Sequence, residues 1–197
     1  MYAVWLYFRF TLSLREVEEM LAERGIDASY EAVRGWTRKF GKAFAMNLRR
    51  SRARSTGRWH SDEMVVKIAG KRMWLWRAVD DAGEVLDMLV QKRRNTVAAL
   101  RLLRKLLKHH GTHPEMIVTD KLASYGAAAR KLGLAYRHRP GRMISNNRAE
   151  NSHLIIRRRE RKQQKFKSQT SAQRFLATYG TAHNPFSFLS SKVLLSA

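Results

Sequence analysis

Three acidic side chains stand out against a basic background: Asp62, Asp120 and Glu150. Asp62 sits at the start of a β-rich run, in Trp59-His60-Ser61-Asp62-Glu63. Asp120 follows the apolar strand-like segment Ile117-Val118-Thr119, and Glu150 lies near the start of a basic helix, in Asn146-Asn147-Arg148-Ala149-Glu150-Asn151-Ser152-His153. Open α/β sheets place their ligands at strand ends. If the strands of Asp62 and Asp120 are neighbours and the helix of Glu150 packs across them, three carboxylates converge. Close carboxylates repel one another unless a cation neutralises them, and an all-oxygen ligand set suits Mg²⁺ or Mn²⁺. A pair of such ions would activate a water or hydroxyl and stabilise the leaving oxygen of a phosphodiester. Singly, each residue has a plain structural reading: a polar strand margin, a helix N-cap and a first-turn charge favoured by the helix dipole. Their conjunction carries the signal.

The surrounding charge points to a polyanion. The chain of 197 residues holds 39 Lys+Arg against 16 Asp+Glu, a net charge of +23. Residues 1–40 are balanced, with six bases and six acids, whereas 41–58 carry six bases and no acid. Residues 121–174 hold fifteen bases and only Glu150 and Glu160 as acids. Such clustering fits a nucleic acid as partner. An apolar content of 44%, with five Trp and eight Phe, excludes a disordered basic tail. No apolar run approaches the ~20 residues of a membrane span. The opening run, broken by Arg9, also lacks a basic start and a small-residue cleavage site, so a soluble, cytoplasmic protein is expected. Without cysteine there is no disulfide, no thiolate nucleophile and no cysteine-ligated zinc.

The elements that must position these residues follow from pattern. Tyr2–Phe10 is an apolar segment of helical or strand type. Ser13 with Glu16 forms a capping box ahead of Leu14, Val17, Met20 and Leu21, at helical spacing up to Gly25. Ser29 opens another helix through Val33, Trp36 and Phe40. Helix, glycine-containing turn and helix at this spacing match a helix-turn-helix over 1–44, with Tyr30, Glu31, Arg34, Arg38 and Lys39 on the exposed side of the recognition helix. An α-hairpin packed on the next domain is the bland alternative. A basic linker over 45–58 follows. The catalytic region, 59–170, begins with strands Trp59–Ile68 and Arg72–Val79 around Ala69-Gly70, then Val85–Val90 after Asp80-Asp81-Ala82-Gly83.

Asn95 to Lys108 reads as a helix on Val97, Leu100, Leu103, Leu106 and Leu107, followed by strand 116–119, helix 121–132 and strand Leu134–His138. A basic helix then runs from about Asn147 to Lys165, and 171–197 holds a last helix and tail. The fold class is α/β, with a mixed sheet covered by helices. Core packing accounts for Trp74 and Trp76. The end of a helix, with no acidic partner, accounts for His109, His110 and His113, and the hairpin turn for Asp80 and Asp81. At helical spacing, Glu150, His153, Leu154, Arg157 and Arg161 share one face, where the arginines could hold phosphates.

The segments Asp62-Glu63 after a Trp, Leu75-Trp76-Arg77-Ala78-Val79-Asp80, Thr119-Asp120-Lys121 and Asn146-Asn147-x-x-Glu150-x-x-His153 resemble those of bacterial insertion-sequence transposases of the IS-six type. The resemblance covers roughly residues 3–183. It implies an RNase H-like catalytic core behind a helix-turn-helix, with Asp62, Asp120 and Glu150 as the metal-binding catalytic triad. It further implies that Arg157, seven positions after the glutamate, works near the DNA end, and that Lys121, Asn147 and His153 support the active site or the DNA.

The expectation is therefore a transposase that binds terminal inverted repeats and target DNA, and performs strand cleavage and transfer with Mg²⁺ or Mn²⁺ as a homodimer or larger synaptic complex. The alternatives are a non-catalytic DNA-binding protein or inactive truncated copy, and a metal-dependent nuclease without strand transfer.

Overall fold

A computed structural model of the chain describes residues 1–50, 57–120, 122–141, 153–154, 156–162 and 166–183. Its centre is a mixed sheet of β1 (Arg58–Ile68), β2 (Lys71–Asp80), β3 (Val85–Gln91), β4 (Met116–Thr119) and β5 (His138–Pro140), in the order β3-β2-β1-β4-β5. The first three strands form an antiparallel meander, and β4 and β5 continue from β1 in parallel. Turn chemistry explains the meander. Ala69 and Gly70 take φ of 49° and 76°, as a tight two-residue hairpin needs. The Asp80 carboxylate accepts the amides of Ala82 (3.0 Å) and Glu84 (2.9 Å) to close the second turn. A parallel β1–β4 pair cannot be joined by a hairpin, so the chain crosses over through α4 (Thr96–His110).

The other helices are α1 (Tyr2–Arg9), α2 (Leu14–Ala22), α3 (Tyr30–Arg50), α5 (Ala123–Lys131), α6 (helical at 153–154 and 156–162) and α7 (Gln169–Ala182). Strand residues divide between two layers. Trp59, Trp76, Ala78 and Ile117 pack under α4 and α5 with Leu102, Leu103, Leu106, Tyr125 and Ala128. Met64, Val66, Ile68, Leu75 and Met88 pack on the other face against Leu176 and Tyr179 of α7. That second core also takes in Val4 and Phe8 of α1 and Phe44 and Leu48 of α3, so the N-terminal helices and α7 share the sheet's own core. A small separate cluster of Leu6, Val17, Leu21 and Val33 holds α1, α2 and the start of α3 together.

Several elements differ from the sequence expectation. Helix α3 runs on to Arg50, through residues 45–50 assigned above to the linker, because Ala45 and Leu48 continue its buried stripe. That stripe, Val33, Gly41, Phe44, Ala45 and Leu48, leaves Trp36 and Phe40 at its margin, each 37% exposed. In α4 the inward face is Ala98, Ala99, Leu102, Leu103 and Leu106, while Val97 is exposed. The last strand falls later, because Gly133 (φ 69°) and buried Leu134 turn the chain into a short 3-10 segment, Ala135–Arg137, before β5. The capping box is present as expected: Ser13 Oγ accepts Glu16 N (3.2 Å), and Ser13 N donates to the Glu16 carboxylate (2.6 Å).

Two buried charges lock layers together. Asp87 of β3, whose side chain is fully enclosed, takes Lys105 Nζ at 2.6 Å and His109 Nδ1 at 2.7 Å from α4. His109 thus has the acidic partner that the sequence did not reveal, and it serves packing. Burial alone would raise the Asp87 pKa, but His109, Lys105 and the Met88 amide outweigh it and hold the carboxyl below its usual range. On α6, Arg159 is wholly buried, donates to the Phe10 and Leu12 carbonyls (3.4 and 2.5 Å) and lies 4.3 Å over the Tyr7 ring. Phe175 and Tyr179 complete the cage at 5.3 and 5.6 Å. Nearby, Lys162 reaches Glu16 at 2.5 Å, and Glu160 accepts the Lys67 amide at 3.1 Å.

Replacing one partner of a buried ion pair strands the rest, so Asp87→Ala lowers unfolding free energy by about 3 kcal/mol at pH 7, read from urea denaturation. Because the folded pKa is depressed, this contribution is present above the ordinary Asp value of about 3.9 and is lost as pH falls through the folded value; wild type and variant therefore converge in acid. Arg159→Met keeps the volume but leaves two carbonyls without their donor. It costs about 2 kcal/mol, and hydrogen exchange rises together around residues 10–12 and in α6.

Candidate active site

Parallel pairing of β1 with β4 puts Ser61 beside Thr119, so Asp62 and Asp120 are the next residues along neighbouring strands. Asp62 is the fifth residue of β1, inside the strand, where the sequence suggested its start. Asp120 lies one position past β4, fixed by Leu122 N, which donates to its Oδ1 at 3.1 Å. Thr119 Oγ1 meets His138 Nε2 at 2.9 Å and ties this strand end to β5. Glu63 joins the pair: one ligand oxygen from each of Asp62, Glu63 and Asp120 lies within 4.8 Å of the others, the one such group among the described residues.

Alternation along β1 should send Glu63 to the face opposite Asp62. It does so, into the layer of α4 and α5, where its side chain is fully buried. It still meets Asp120 because that residue stands beyond the end of β4, off the paired ladder. Arg94, just before α4, spans both carboxylates. Its Nε lies 2.5 Å from Glu63 Oε1, Nη2 also contacts that oxygen, and Nη2 reaches Asp120 Oδ2 at 3.4 Å. Its guanidinium sits 5.1 Å from the Trp74 ring, which Arg72 approaches at 4.8 Å. Trp76 is buried as expected, while Trp74 is half-buried between these two arginines.

Burial raises the Glu63 carboxyl to about 7, the Asp120 charge adds to that, and Arg94 pulls in the opposite direction. Its Oε2 is buried without a hydrogen-bond partner. The fully buried Tyr125 hydroxyl is held well above its usual pKa, first by burial and then by the charges of Glu63, Asp62 and Asp120. An orphaned carboxylate oxygen within a trio of mutually repelling acids is a donor set suited to a hard divalent cation.

On the other face, Arg77 stands directly opposite Asp62 in the β1–β2 ladder. Burial lowers its pKa to about 9, which leaves it charged at neutral pH. His153 Nδ1 is 3.9 Å from Asp62 Oδ2. Burial, then Arg77 and Arg157, depress His153 to about 3, so the imidazole is neutral beside the carboxylate. The proposed common face of α6 divides: His153, Ile156 and Arg159 point inward, while Leu154, Arg157 and Arg161 are exposed. Of the Arg157-Arg158-Arg159 run, the first two are open to a ligand and the third is not. Glu150, Asn147 and Lys121 lie outside the described residues.

On α3, Arg38 and Lys39 are exposed, and Arg34 is half-exposed and paired with Glu31 at 3.1 Å. Tyr30 is half-buried, with Arg15 and Arg34 over its ring at 5.4 and 5.7 Å. The exposed part of the helix thus offers Arg34, Arg38, Lys39 and Lys42. Sequence reasoning did not single out Glu63, Arg94 or Tyr125. Adjacency to Asp62 was the available signal for Glu63, and strand alternation argued against it. Nothing in the spacing marked the other two.

With this geometry in place, the chain can be set beside known proteins. The family model of the DDE domain, IS240 transposase type, matches residues 56–187. The transposase for the insertion sequence-like element IS431mec of Staphylococcus aureus is 30% identical over 166 residues, spanning 82% of this chain and 74% of the relative. The transposase for insertion sequence element IS257 in transposon Tn4003, also from Staphylococcus aureus, is 29% identical over the same shares. A chain in the cryo-EM structure of the simian T-cell lymphotropic virus intasome in complex with PP2A regulatory subunit B56 gamma superposes with a TM-score of 0.50 at 18% identity. It covers 68% of this chain and 57% of its own length, and the likeness is one of fold, an RNase H-like sheet flanked by helices. The meeting of Asp62 and Asp120 on neighbouring strands, the sheet order and the family match agree: this chain belongs to the DDE transposases of insertion sequences.

Proposed function

We propose that the protein cleaves and joins DNA at the terminal inverted repeats of its own element, with Asp62, Asp120 and Glu150 as the catalytic acids. The observation that carries this reading is the meeting of Asp62, Glu63 and Asp120, with ligand oxygens within 4.8 Å, in a chain of the DDE family. Asp62 and Asp120 would hold divalent cations, with Glu150 supplied from the segment ahead of α6, and Mg²⁺ or Mn²⁺ in a pair fits the all-oxygen donors. Bound there, the ions supply a nucleophilic oxygen and neutralise charge on the leaving one. The Glu63 amide donates to Asp62 Oδ1 at 2.8 Å, neutral His153 lies 3.9 Å from the other oxygen, and Asp120 is aimed by the Leu122 amide.

Arg34, Arg38 and Lys39 of α3, with Tyr30 bracing Arg34, would read the repeat, and exposed Arg157 and Arg161 would grip phosphates beside the chemistry. Joining two ends calls for at least a homodimer. No helix among the described residues is long and apolar enough to cross a membrane; we place the protein in the bacterial cytoplasm, working on the nucleoid.

The test is cleavage and joining of terminal-repeat DNA by the purified protein in Mg²⁺. Asp120→Asn and Glu150→Gln abolish both reactions while retaining DNA binding. End binding without cleavage by the wild type would instead support the non-catalytic alternative, and cleavage without joining a nuclease. Arg34→Ala weakens end binding about tenfold in a gel-shift assay, with little change in binding to unrelated DNA.

A further inference from the structure

We propose that Arg94 is a positioning residue of the carboxylate centre: it holds Glu63 and Asp120 in place of a divalent cation, yields them when the cation binds, and then turns to the DNA backbone. The inference rests on the metal-site reading above and goes beyond it.

The geometry sets up a competition. Arg94 occupies Glu63 Oε1 with two of its nitrogens and Asp120 Oδ2 with one, so it takes one oxygen from each of two acids in this trio. A divalent ion binds carboxylate oxygens directly, at about 2.0–2.6 Å, and it repels a neighbouring guanidinium. Both cannot share these oxygens. Without the ion, the three acids repel, and the guanidinium fork is the counter-charge that keeps two of them converged.

The surroundings supply a second position for Arg94. Its side chain is 38% exposed and stacks on Trp74, a flat support along which the guanidinium can slide towards solvent. Trp74 pairs with Val65, two residues along β1 from Glu63, a shift of about 7 Å at strand spacing. Exposed Arg72 packs on the same ring, and exposed Lys92 and Arg93 directly precede Arg94, with no acid between Asp87 and Glu115 in sequence. This cationic rim suits a phosphodiester backbone, whose charge also follows the metal into the site. Metal binding and DNA contact by Arg94 are thereby linked, and the linkage works in both directions.

The experiment uses the full chain and two readouts apart from turnover. Mn²⁺ binding followed by electron paramagnetic resonance should be about fivefold tighter in Arg94→Gln than in wild type, with Arg94→Lys between them, because the competing charge is removed. Unchanged or weaker binding in Arg94→Gln overturns the proposal. Affinity for a mixed-sequence duplex should fall about fivefold in Arg94→Gln with Ca²⁺ present and remain at the wild-type level in EDTA, since Arg94 reaches phosphate only when displaced. An equal loss under both conditions, or no loss in either, overturns it as well. A wild type that binds no Mn²⁺ would sink the metal-site reading itself, whereas wild-type binding indifferent to Arg94 sinks this inference alone.

Discussion

Like charges just past the paired stretch of two neighbouring parallel strands repel, and much of this fold can be understood as the means of holding them together. The parallel β1–β4 pair sets Asp62 and Asp120 one step past Ser61 and Thr119. Neither strand could do so if they met in a hairpin, because the register would then run in opposite directions. The crossover through β2, β3 and α4 is thus a requirement of the site. Cations stand on both sides of the sheet: buried Arg77 opposite Asp62 in the ladder, and exposed Arg94 across Glu63 and Asp120. The same sheet then needs two covering layers, and the helices supply them.

Local signals along the chain led to most of these elements. Ser13 and Glu16 announced α2, Ala69-Gly70 announced the first hairpin, and the Ile117–Thr119 run announced β4. Where the expectation slipped, longer-range packing had decided. The end of α3 is set by Phe44 and Leu48 meeting α1 and the sheet, which overrode a segment whose basic composition resembled a linker. The strand expected at Leu134–His138 gave way to a 3-10 turn because Leu134 is drawn under α5 while Pro140, lacking an amide, suits the sheet's edge.

The site was legible in part for a related reason. Asp62 and Asp120 could be picked out because each stands in a strand context within a basic chain. Glu63 was hidden by its parity: period-two reasoning assigns it to the opposite face, and only the position of Asp120 beyond its strand lets both faces contribute. Arg94 sits 26 residues from Asp120 and 31 from Glu63, and no local pattern connects them. On α6, helical spacing grouped Arg157 and Arg161 on one face with Glu150, His153 and Leu154, and offered no role for Arg159. The structure separates Arg157 and Arg161, which are exposed, from Arg159, which is enclosed by Tyr7, Phe175 and Tyr179.

That enclosed arginine also governs scale. Its bonds to the Phe10 and Leu12 carbonyls, together with Val4, Phe8, Phe44 and Leu48 in the sheet's own core, join the N-terminal helices to the carboxylate strands. If α3 grips the duplex as proposed, the span from there to the carboxylates is a built-in ruler. On the proposed reading, the cut made by one copy would lie at a fixed offset from the repeat it binds, and a change in spacing would have to come from the DNA or from a second copy.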